Sequence, residues 1–283
     1  MKLPFTRGEF CVILSKEVMT MKITYLGQEG FLIEYKDTRI LTDPYLSDYV
    51  DRNSAIKDFE WIRAYDPPTD VKGLGKIDTV FLTHDHDDHT DPETTAKINE
   101  EKNAKFVISA SRVDFLNSLG VPYEKIKGVE CFKEYVFGDI TAVPIPAAHE
   151  ELHRSPEFGE NVFDELGYIF LLGDTALFHA GDTYDYDGMA ESINKYKRGK
   201  TLIMLLPVNG ADEERRAKGI AGNLNCHEAF DLAKRCKADL VIPMHHDLYP
   251  QNGVTVEEIT EAAKADKAEN IKILSPGECI EIA

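Results

Sequence analysis

The chain has 283 residues, enough for one large domain or two small ones, and its 43% hydrophobic content suffices for a buried core. Fifty acidic residues face 32 basic ones, and the resulting net charge of −18 repels phosphate backbones, which argues against a nucleic-acid partner. No apolar run is long enough to span a membrane, and residues 1–20 lack the features of a secretory signal, so we expect a cytoplasmic protein without membrane contact.

The predicted elements begin at residue 21, after an N-terminal extension formed by residues 1–20. Short runs of β-branched and aromatic residues between turn residues predict strands. In chain order these are residues 21–35, 38–42, 77–83, 106–109, 129–137, 140–145, 166–172, 176–180, 201–206 and 240–244. Capping residues and apolar spacing predict helices at residues 92–101, 111–119, 188–196, 226–236 and 256–265.

The order of these elements repeats, because a β-rich stretch followed by a mixed α and β stretch occurs twice. Two similar halves, each a sheet covered by helices on one face, would pack as a four-layer αββα sandwich. We therefore expect residues 21–283 to form one α/β domain of this architecture.

Six consecutive residues after the strand at residues 77–83 are all histidine or aspartate. They are His84, Asp85, His86, Asp87, Asp88 and His89. Imidazole nitrogens and carboxylate oxygens bind zinc, manganese or iron, and a turn with this many like charges repels itself unless a cation neutralises it. The alternative, a solvated acidic loop, explains the three histidines less well, so the segment predicts a metal site.

The segment THDHDDH, Thr83 to His89, resembles the HxHxDH signature of the metallo-β-lactamase superfamily. The resemblance implies the αββα fold and a pair of divalent metal ions. It places one ion on His84, His86 and His149 and the other on Asp88, His89 and His245, with Asp182 bridging them.

Two of these later ligands have neighbours that could replace them. His149 stands near Glu150 and His153, and His245 is followed directly by His246. We prefer His245 because it is the first residue after its strand. Two further histidines, His179 in a strand and His227 in an amphipathic helix, are interpreted as structural rather than ligating.

A closer resemblance is to the L-ascorbate-6-phosphate lactonase group. It rests on TYLGQEGFLIEY, TDPYL, THDHDDH, YIFLLGDTALFHAGDTYDY and VIPMHHDLYPQNG, and it spans about residues 21–256. It implies a lactonase of carbohydrate metabolism that opens a phosphorylated sugar-acid lactone such as L-ascorbate 6-phosphate. It favours Mn²⁺, with Zn²⁺ as a common occupant after purification. The loop containing Trp61 and residues 150–164 depart from that group, and both are expected to touch the substrate.

In the implied mechanism, hydroxide made available by the metal ions attacks the carbonyl carbon. Asp88 orients the hydroxide and carries its proton to the departing oxygen, while Asp182 holds the two ions at a fixed separation. The expected substrate is a small anion. Its binding residues are assigned to Arg215, Arg216, Asn223 and His246, with Lys218 adding positive charge. A solvated loop is the alternative interpretation of the two arginines.

Two other functions are compatible with the motif. One is a phosphodiesterase or nuclease of the same superfamily, which the acidic charge disfavours. The other is a di-iron redox protein, which would normally work with a flavin domain. The sequence leaves the oligomeric state open, with a homo-oligomer as one outcome.

Overall fold

The computed structural model describes residues 20–54, 56 and 61–282. The predicted extension, residues 1–20, lies outside the described residues except for Thr20. The described chain forms two β-sheets flanked by helices. None of the helices in these ranges is both long and apolar enough to cross a membrane.

The strands and helices follow one another along the whole described chain. In order they are β1 (Met21–Gly27), β2 (Gly30–Tyr35), β3 (Thr38–Thr42), α1 (Tyr49–Asn53), β4 (Thr79–Phe81), α2 (Pro92–Glu101), β5 (Lys105–Ser109), α3 (Val113–Ser118), β6 (Ile126–Val129), β7 (Tyr135–Phe137), β8 (Ile140–Pro146), β9 (Leu166–Leu172), β10 (Thr175–His179), α4 (Met189–Tyr196), β11 (Thr201–Pro207), α5 (Glu213–Ala217), α6 (Cys226–Cys236), β12 (Leu240–Met244), α7 (Val256–Asp266) and β13 (Cys279–Ile282).

Both sheets mix parallel and antiparallel pairs. The first has the order β13-β1-β2-β3-β4-β5-β6, in which β3 to β6 run parallel and the pairs from β13 to β3 are antiparallel. The second has the order β12-β11-β10-β9-β8-β7, in which β10 to β12 run parallel and the remaining pairs are antiparallel.

Side chains on the first sheet alternate between two cores, as the pleat of a strand requires. In β2, Phe31 and Ile33 point into the core between the sheets, whereas Leu32 packs into a second core with Ile98 of α2 and Leu116 of α3. On the second sheet, α4, α6 and α7 contribute buried residues to the main core. The predicted four-layer αββα sandwich is therefore confirmed.

The carboxyl ends of the parallel strands position the site. The chain leaves β3 into Asp43, β4 into His84, β10 into Asp182 and β12 into His245. Because parallel strands end at a common edge, these four turns come together where the two sheets meet.

The prediction of one strand over residues 21–35 was wrong. Gly27 with φ +96° and Gln28 with φ 55° turn the chain, so that Gly27 pairs with Gly30 and the segment forms two strands. The predicted strand at residues 129–137 is also split, because β6 ends at Val129 and β7 begins at Tyr135. By contrast, α2 has its predicted bounds, with Asp91 accepting a hydrogen bond from the backbone N–H of Glu93.

Candidate metal centre

The turn that carries the histidine cluster is fixed from below by Asp43. This fully buried carboxylate accepts a 2.8 Å hydrogen bond from the backbone N–H of Thr83 and a 2.5 Å bond from its hydroxyl. The hydroxyl of Thr90 donates to the carbonyl oxygen of His84 at 2.5 Å, which closes the turn. The six-residue segment thus leaves β4 in one defined conformation.

Seven side chains form two adjacent groups whose candidate ligand atoms lie within 4.8 Å of one another in each group. The first group is His84, His86, His149 and Asp182, and the second is Asp88, His89 and His245. These are the seven residues that the sequence assigned to metal.

Asp182 lies between the two groups. Its Oδ2 is 3.6 Å from Nε2 of His149, and its Oδ1 is 3.6 Å from Nε2 of both His89 and His245. Gly181 makes this approach possible, because a Cβ there would stand 2.7 Å from the carbonyl oxygen of Leu166 and its φ is +63°. One carboxylate therefore faces both groups, as a bridging ligand must.

Several polar atoms in these groups are buried without a hydrogen-bond partner. They include Nε2 of His84, Nε2 of His89 and Oδ1 of Asp182. Such atoms are rare in folded proteins, because each loses its hydration without compensation. Nitrogen and oxygen donors of this kind fit a divalent cation.

Electrostatics divides the histidines into two kinds. Burial, together with the neighbouring histidines, holds the pKa of His84 well below its usual range, and burial lowers the pKa of His149 to about 4. Burial opposes protonation of His89, but the carboxylates of Asp182 and Asp88 outweigh it and raise the pKa of His89 to about 10. His84 and His149 are thus neutral at neutral pH, whereas His89 carries a proton that a metal ion must displace.

Asp43 and Glu29 form a third group with His89 that the sequence did not predict. Asp43 Oδ2 lies 2.9 Å from Nδ1 of His89, so the other ring nitrogen faces Asp182. Both carboxylate oxygens of Glu29 are buried without a hydrogen-bond partner. Burial, reinforced by Asp182 and Asp43, raises the pKa of Glu29 well above its ordinary value. The position of Asp43 directly after β3, at the shared strand edge, was the available signal.

Gln28 was also missed. Its side-chain amide donates a 2.7 Å hydrogen bond to Oδ2 of Asp88, and the same nitrogen lies 3.1 Å from Nε2 of His245. The backbone N–H of His245 donates to the carbonyl oxygen of Gln28 at 2.8 Å. Gln28, Asp43 and His245 all have positive φ, 55°, 36° and 56°, which is uncommon for residues other than glycine. Three of the described non-glycine residues with positive φ therefore lie at or beside the second group.

The structure separates the alternative ligands from the preferred ones. His149 and His245 lie in the two groups, whereas His153 and His246 belong to neither. His246 is buried and stacks on Tyr25 with ring centroids 6.4 Å apart, and it does not line the cleft described below. The grouping thus agrees with the choice of His149 and His245 over these neighbours, and the ligand set stays a prediction.

The residues assigned to an anionic substrate have other partners. The Arg215 guanidinium donates to Asp212 at 2.6 Å, to the side chain of Asn252 at 3.0 Å and to the carbonyl oxygen of Asn209 at 2.9 Å. Asn223 is buried and donates to Asn209 at 3.1 Å. Arg216 is exposed, with its guanidinium 5.9 Å from the centre of the Tyr184 ring. None of these residues lines the cleft.

His179 and His227 occupy structural positions. His179 is buried, accepts a hydrogen bond from the backbone N–H of Gly181 and donates from Nε2 to the carbonyl oxygen of Glu29 at 2.9 Å. It therefore connects β10 to the turn at Gln28. His227 is exposed and pairs with Asp266 at 2.7 Å.

An open cleft of about 420 Å³ gives access to both groups. Its described lining combines apolar residues with acidic residues and histidines. Its described lining consists of Val50, Ser54, Ile56, Trp61, His86, Asp87, Asp88, His149, Glu150, His153, Glu165, Asp182, Gly219, Ile220, Ala221, His245 and Asn252, with no lysine or arginine among them. Its size suits a small molecule.

A family model described as a β-lactamase superfamily domain matches residues 22–245, which is most of the chain. The chain belongs to the metallo-β-lactamase superfamily. Within this superfamily it is similar to a UPF0173 metal-dependent hydrolase of Pyrococcus furiosus, with 29% identity over 93% of this chain and 100% of the relative. Membership of the L-ascorbate-6-phosphate lactonase group stays a prediction.

Two solved structures share this superfamily's fold. The metallo-β-lactamase fold protein YhfI of Bacillus subtilis aligns with a TM-score of 0.64 and 17% identity over 93% of this chain and 99% of its own. Igni18, a metallo hydrolase of Ignicoccus hospitalis, aligns with a TM-score of 0.68 and 22% identity over 93% and 99%. At these identities the likeness shows the fold alone.

Proposed function

We propose that this protein is a metal-dependent hydrolase that opens small lactones by attack of water at the carbonyl carbon. The general activity, that of a metal-dependent hydrolase, agrees with the superfamily and with the name of the Pyrococcus furiosus relative. The observation that carries the proposal is the position of Asp182 between two groups of ligands at the floor of an open cleft.

When bound, a pair of divalent ions lowers the pKa of water enough to supply hydroxide near neutral pH and polarises a carbonyl oxygen. The protein's own residues orient the reactants. Asp88 lines the cleft and is placed to accept a proton from the attacking water, and the Gln28 amide fixes its carboxylate from behind at 2.7 Å. Asp182, buried beneath the cleft, fixes the separation between the two groups. Mn²⁺ and Zn²⁺ both suit this nitrogen and oxygen donor set.

The described part of the cleft lining suits a neutral lactone ring. Val50, Ile56, Trp61 and Ile220 offer apolar surface, and the described lining carries no lysine or arginine to pair with a phosphate. Arg216 is exposed in α5, next to the segment that supplies Gly219 and Ile220 to the cleft. A phosphorylated sugar lactone would be a substrate only if its phosphate reached Arg216.

The proposal is tested by loading the protein with Mn²⁺ or Zn²⁺ and assaying neutral lactones, phosphorylated sugar lactones and a phosphodiester such as bis(p-nitrophenyl) phosphate. We expect ring opening of a neutral lactone, and loss of that activity after chelation and dialysis. Hydrolysis of the phosphodiester with no lactone opened would overturn the proposal. The Asp182→Ala protein serves as the control for metal or catalyst carried over from the host.

A further inference from the structure

A histidine and a glutamate outside the two metal-binding groups form a hydrogen-bonded pair in the wall of the cleft. Nδ1 of His153 lies 3.1 Å from Oε1 and 3.2 Å from Oε2 of Glu165. The Glu165 side chain is 11% exposed, and that of His153 is 38% exposed. Both residues line the same cleft as His149 and Asp182. A buried carboxylate thus holds a half-buried imidazole in the lining of the cleft.

The backbone around the pair is held by its own small antiparallel ladder. Arg154 pairs with Phe163, and the backbone N–H of Asp164 donates to the carbonyl oxygen of His153 at 2.9 Å. Ala147, in the segment that leads to His149, donates its backbone N–H to the carbonyl oxygen of Glu165 at 3.0 Å. The pair is therefore fixed relative to the strand that supplies His149.

The charged groups around the pair are also defined. Arg112 donates to Asp164 at 3.0 Å and lies 3.0 Å from Asp85 of the metal-binding turn. Glu151, which is 80% exposed, lies 3.6 Å from Nε2 of His153. Burial raises the pKa of Glu165, and His153 opposes this shift. The acidic neighbours of the imidazole are therefore Glu165 on Nδ1 and Glu151 near Nε2.

Because Glu165 occupies Nδ1, only Nε2 of His153 remains to meet a substrate. An imidazole oriented in this way by a carboxylate is a common proton donor in catalysis. The geometry points to His153 as the general acid that protonates the departing oxygen, with Glu165 as the residue that positions it. This inference rests on the proposed function, because it assigns one proton in the lactone reaction.

Hydroxide forms a bond to the carbonyl carbon, and the bond between that carbon and the ring oxygen then breaks. The proton on Nε2 of His153 goes to the ring oxygen, which becomes the alcohol of the hydroxy acid, and His153 regains a proton from solvent. The proton that Asp88 accepts from the attacking water returns to solvent, so the departing oxygen takes its proton from His153 and not from Asp88, the donor implied by the sequence.

The test compares two six-membered lactones that differ in their leaving group. δ-Valerolactone releases an alkanol, whose oxygen needs a proton as it departs, whereas dihydrocoumarin releases a phenol with a pKa of about 10, near that of tyrosine. The variants are His153→Asn and Glu165→Gln in the full-length, Mn²⁺-loaded protein. His227→Asn is the matched control, since His227 also pairs with a carboxylate but lies outside the cleft.

For His153→Asn we expect kcat on δ-valerolactone to fall by roughly 10²-fold or more, with metal content and KM little changed. The loss on dihydrocoumarin should be at least about tenfold smaller. Glu165→Gln should show the same preference for dihydrocoumarin to a smaller degree.

Equal losses on the two lactones, or loss of a metal ion from His153→Asn, would overturn the assignment of His153 while leaving the proposed function intact. Failure of the unmodified, metal-loaded protein to open either lactone would instead refute the proposed function, and this inference with it. The two failures are distinguished by the activity of the unmodified protein alone.

Discussion

Asp43 accepts a 2.9 Å hydrogen bond from Nδ1 of His89, although neither oxygen of Asp43 faces the cleft. A ligating histidine is usually fixed in this way, by a carboxylate on the ring nitrogen that does not touch the metal. The same carboxylate holds the backbone N–H and the hydroxyl of Thr83. One buried residue therefore sets both the ring orientation of His89 and the path of the turn.

Asp43→Asn should weaken metal binding at the second group by about 10- to 100-fold, because the ring of His89 loses its charged partner. A chromophoric chelator competing for Zn²⁺ would measure this. Asp78→Asn is the control, since Asp78 accepts a 2.9 Å hydrogen bond from the backbone N–H of Arg39 in β3, away from the site. Equal Zn²⁺ affinities of the two variants would contradict the role given to Asp43.

Asp182→Ala should reduce the metal content from two ions to one or fewer, because a single carboxylate faces both groups. Turnover should fall by at least about 10²-fold, as expected when a metal-catalysed step loses a ligand. Elemental analysis after dialysis measures the metal content. Asp174→Ala, an exposed aspartate in the turn before β10, should keep both ions. An Asp182→Ala protein with two ions and near-normal turnover would show that it does not bridge.

Metal binding at the second group should release close to one proton at pH 7.5. In the metal-free protein the pKa of His89 is raised to about 10, so the ring is protonated at this pH and the ion displaces the proton. Zn²⁺ affinity there should rise about tenfold per pH unit between pH 6.5 and 8.5. His84 and His149 in the first group should release none, since the pKa of His149 is about 4 and that of His84 is also lowered.

Isothermal titration calorimetry in buffers of different ionisation enthalpy counts the released protons. If metal binding at the second group released no proton anywhere between pH 6.5 and 8.5, the charge state assigned to His89 would be wrong. The Zn²⁺ affinity should rise steadily from pH 6.5 to pH 8.5, because the pKa of His89 in the folded, metal-free protein lies above this range.

Gln28→Ala should lower kcat by roughly tenfold while both metal ions stay bound, because Asp88 loses the amide that fixes its carboxylate at 2.7 Å. Steady-state kinetics and elemental analysis together check this. Gln251→Ala, an exposed glutamine near His245, is the matched control and should behave like the unmodified protein. Loss of a metal ion from Gln28→Ala would show that the amide supports binding rather than turnover.

Local signals were enough to predict much of the fold. The Asp91 cap followed by Pro92 gives α2 its bounds, and the strand endings before Asp182 and His245 place two site residues at one edge. Elements that depend on distant partners were missed. The sequence of β13 has no clear strand pattern of its own. This segment forms a strand by pairing with β1.

The sequence predicted those site residues that lie within recognisable motifs and missed those that lie outside them. Gln28 and Glu29 were hidden because residues 21–35 looked like one strand, and only Gly27 and Gly30 marked the turn between β1 and β2. The arginines of α5 were assigned to substrate from charge alone, yet Arg215 donates to three protein groups. Which charges face a cleft depends on tertiary packing, which composition does not record.

Anomalous diffraction from crystals grown with Mn²⁺ or Zn²⁺ tests the central claim most directly. We expect two peaks, one among His84, His86, His149 and Asp182 and one among Asp88, His89, His245 and Asp182. A single peak away from Asp182, or peaks ligated by His153 or His246, would contradict the account.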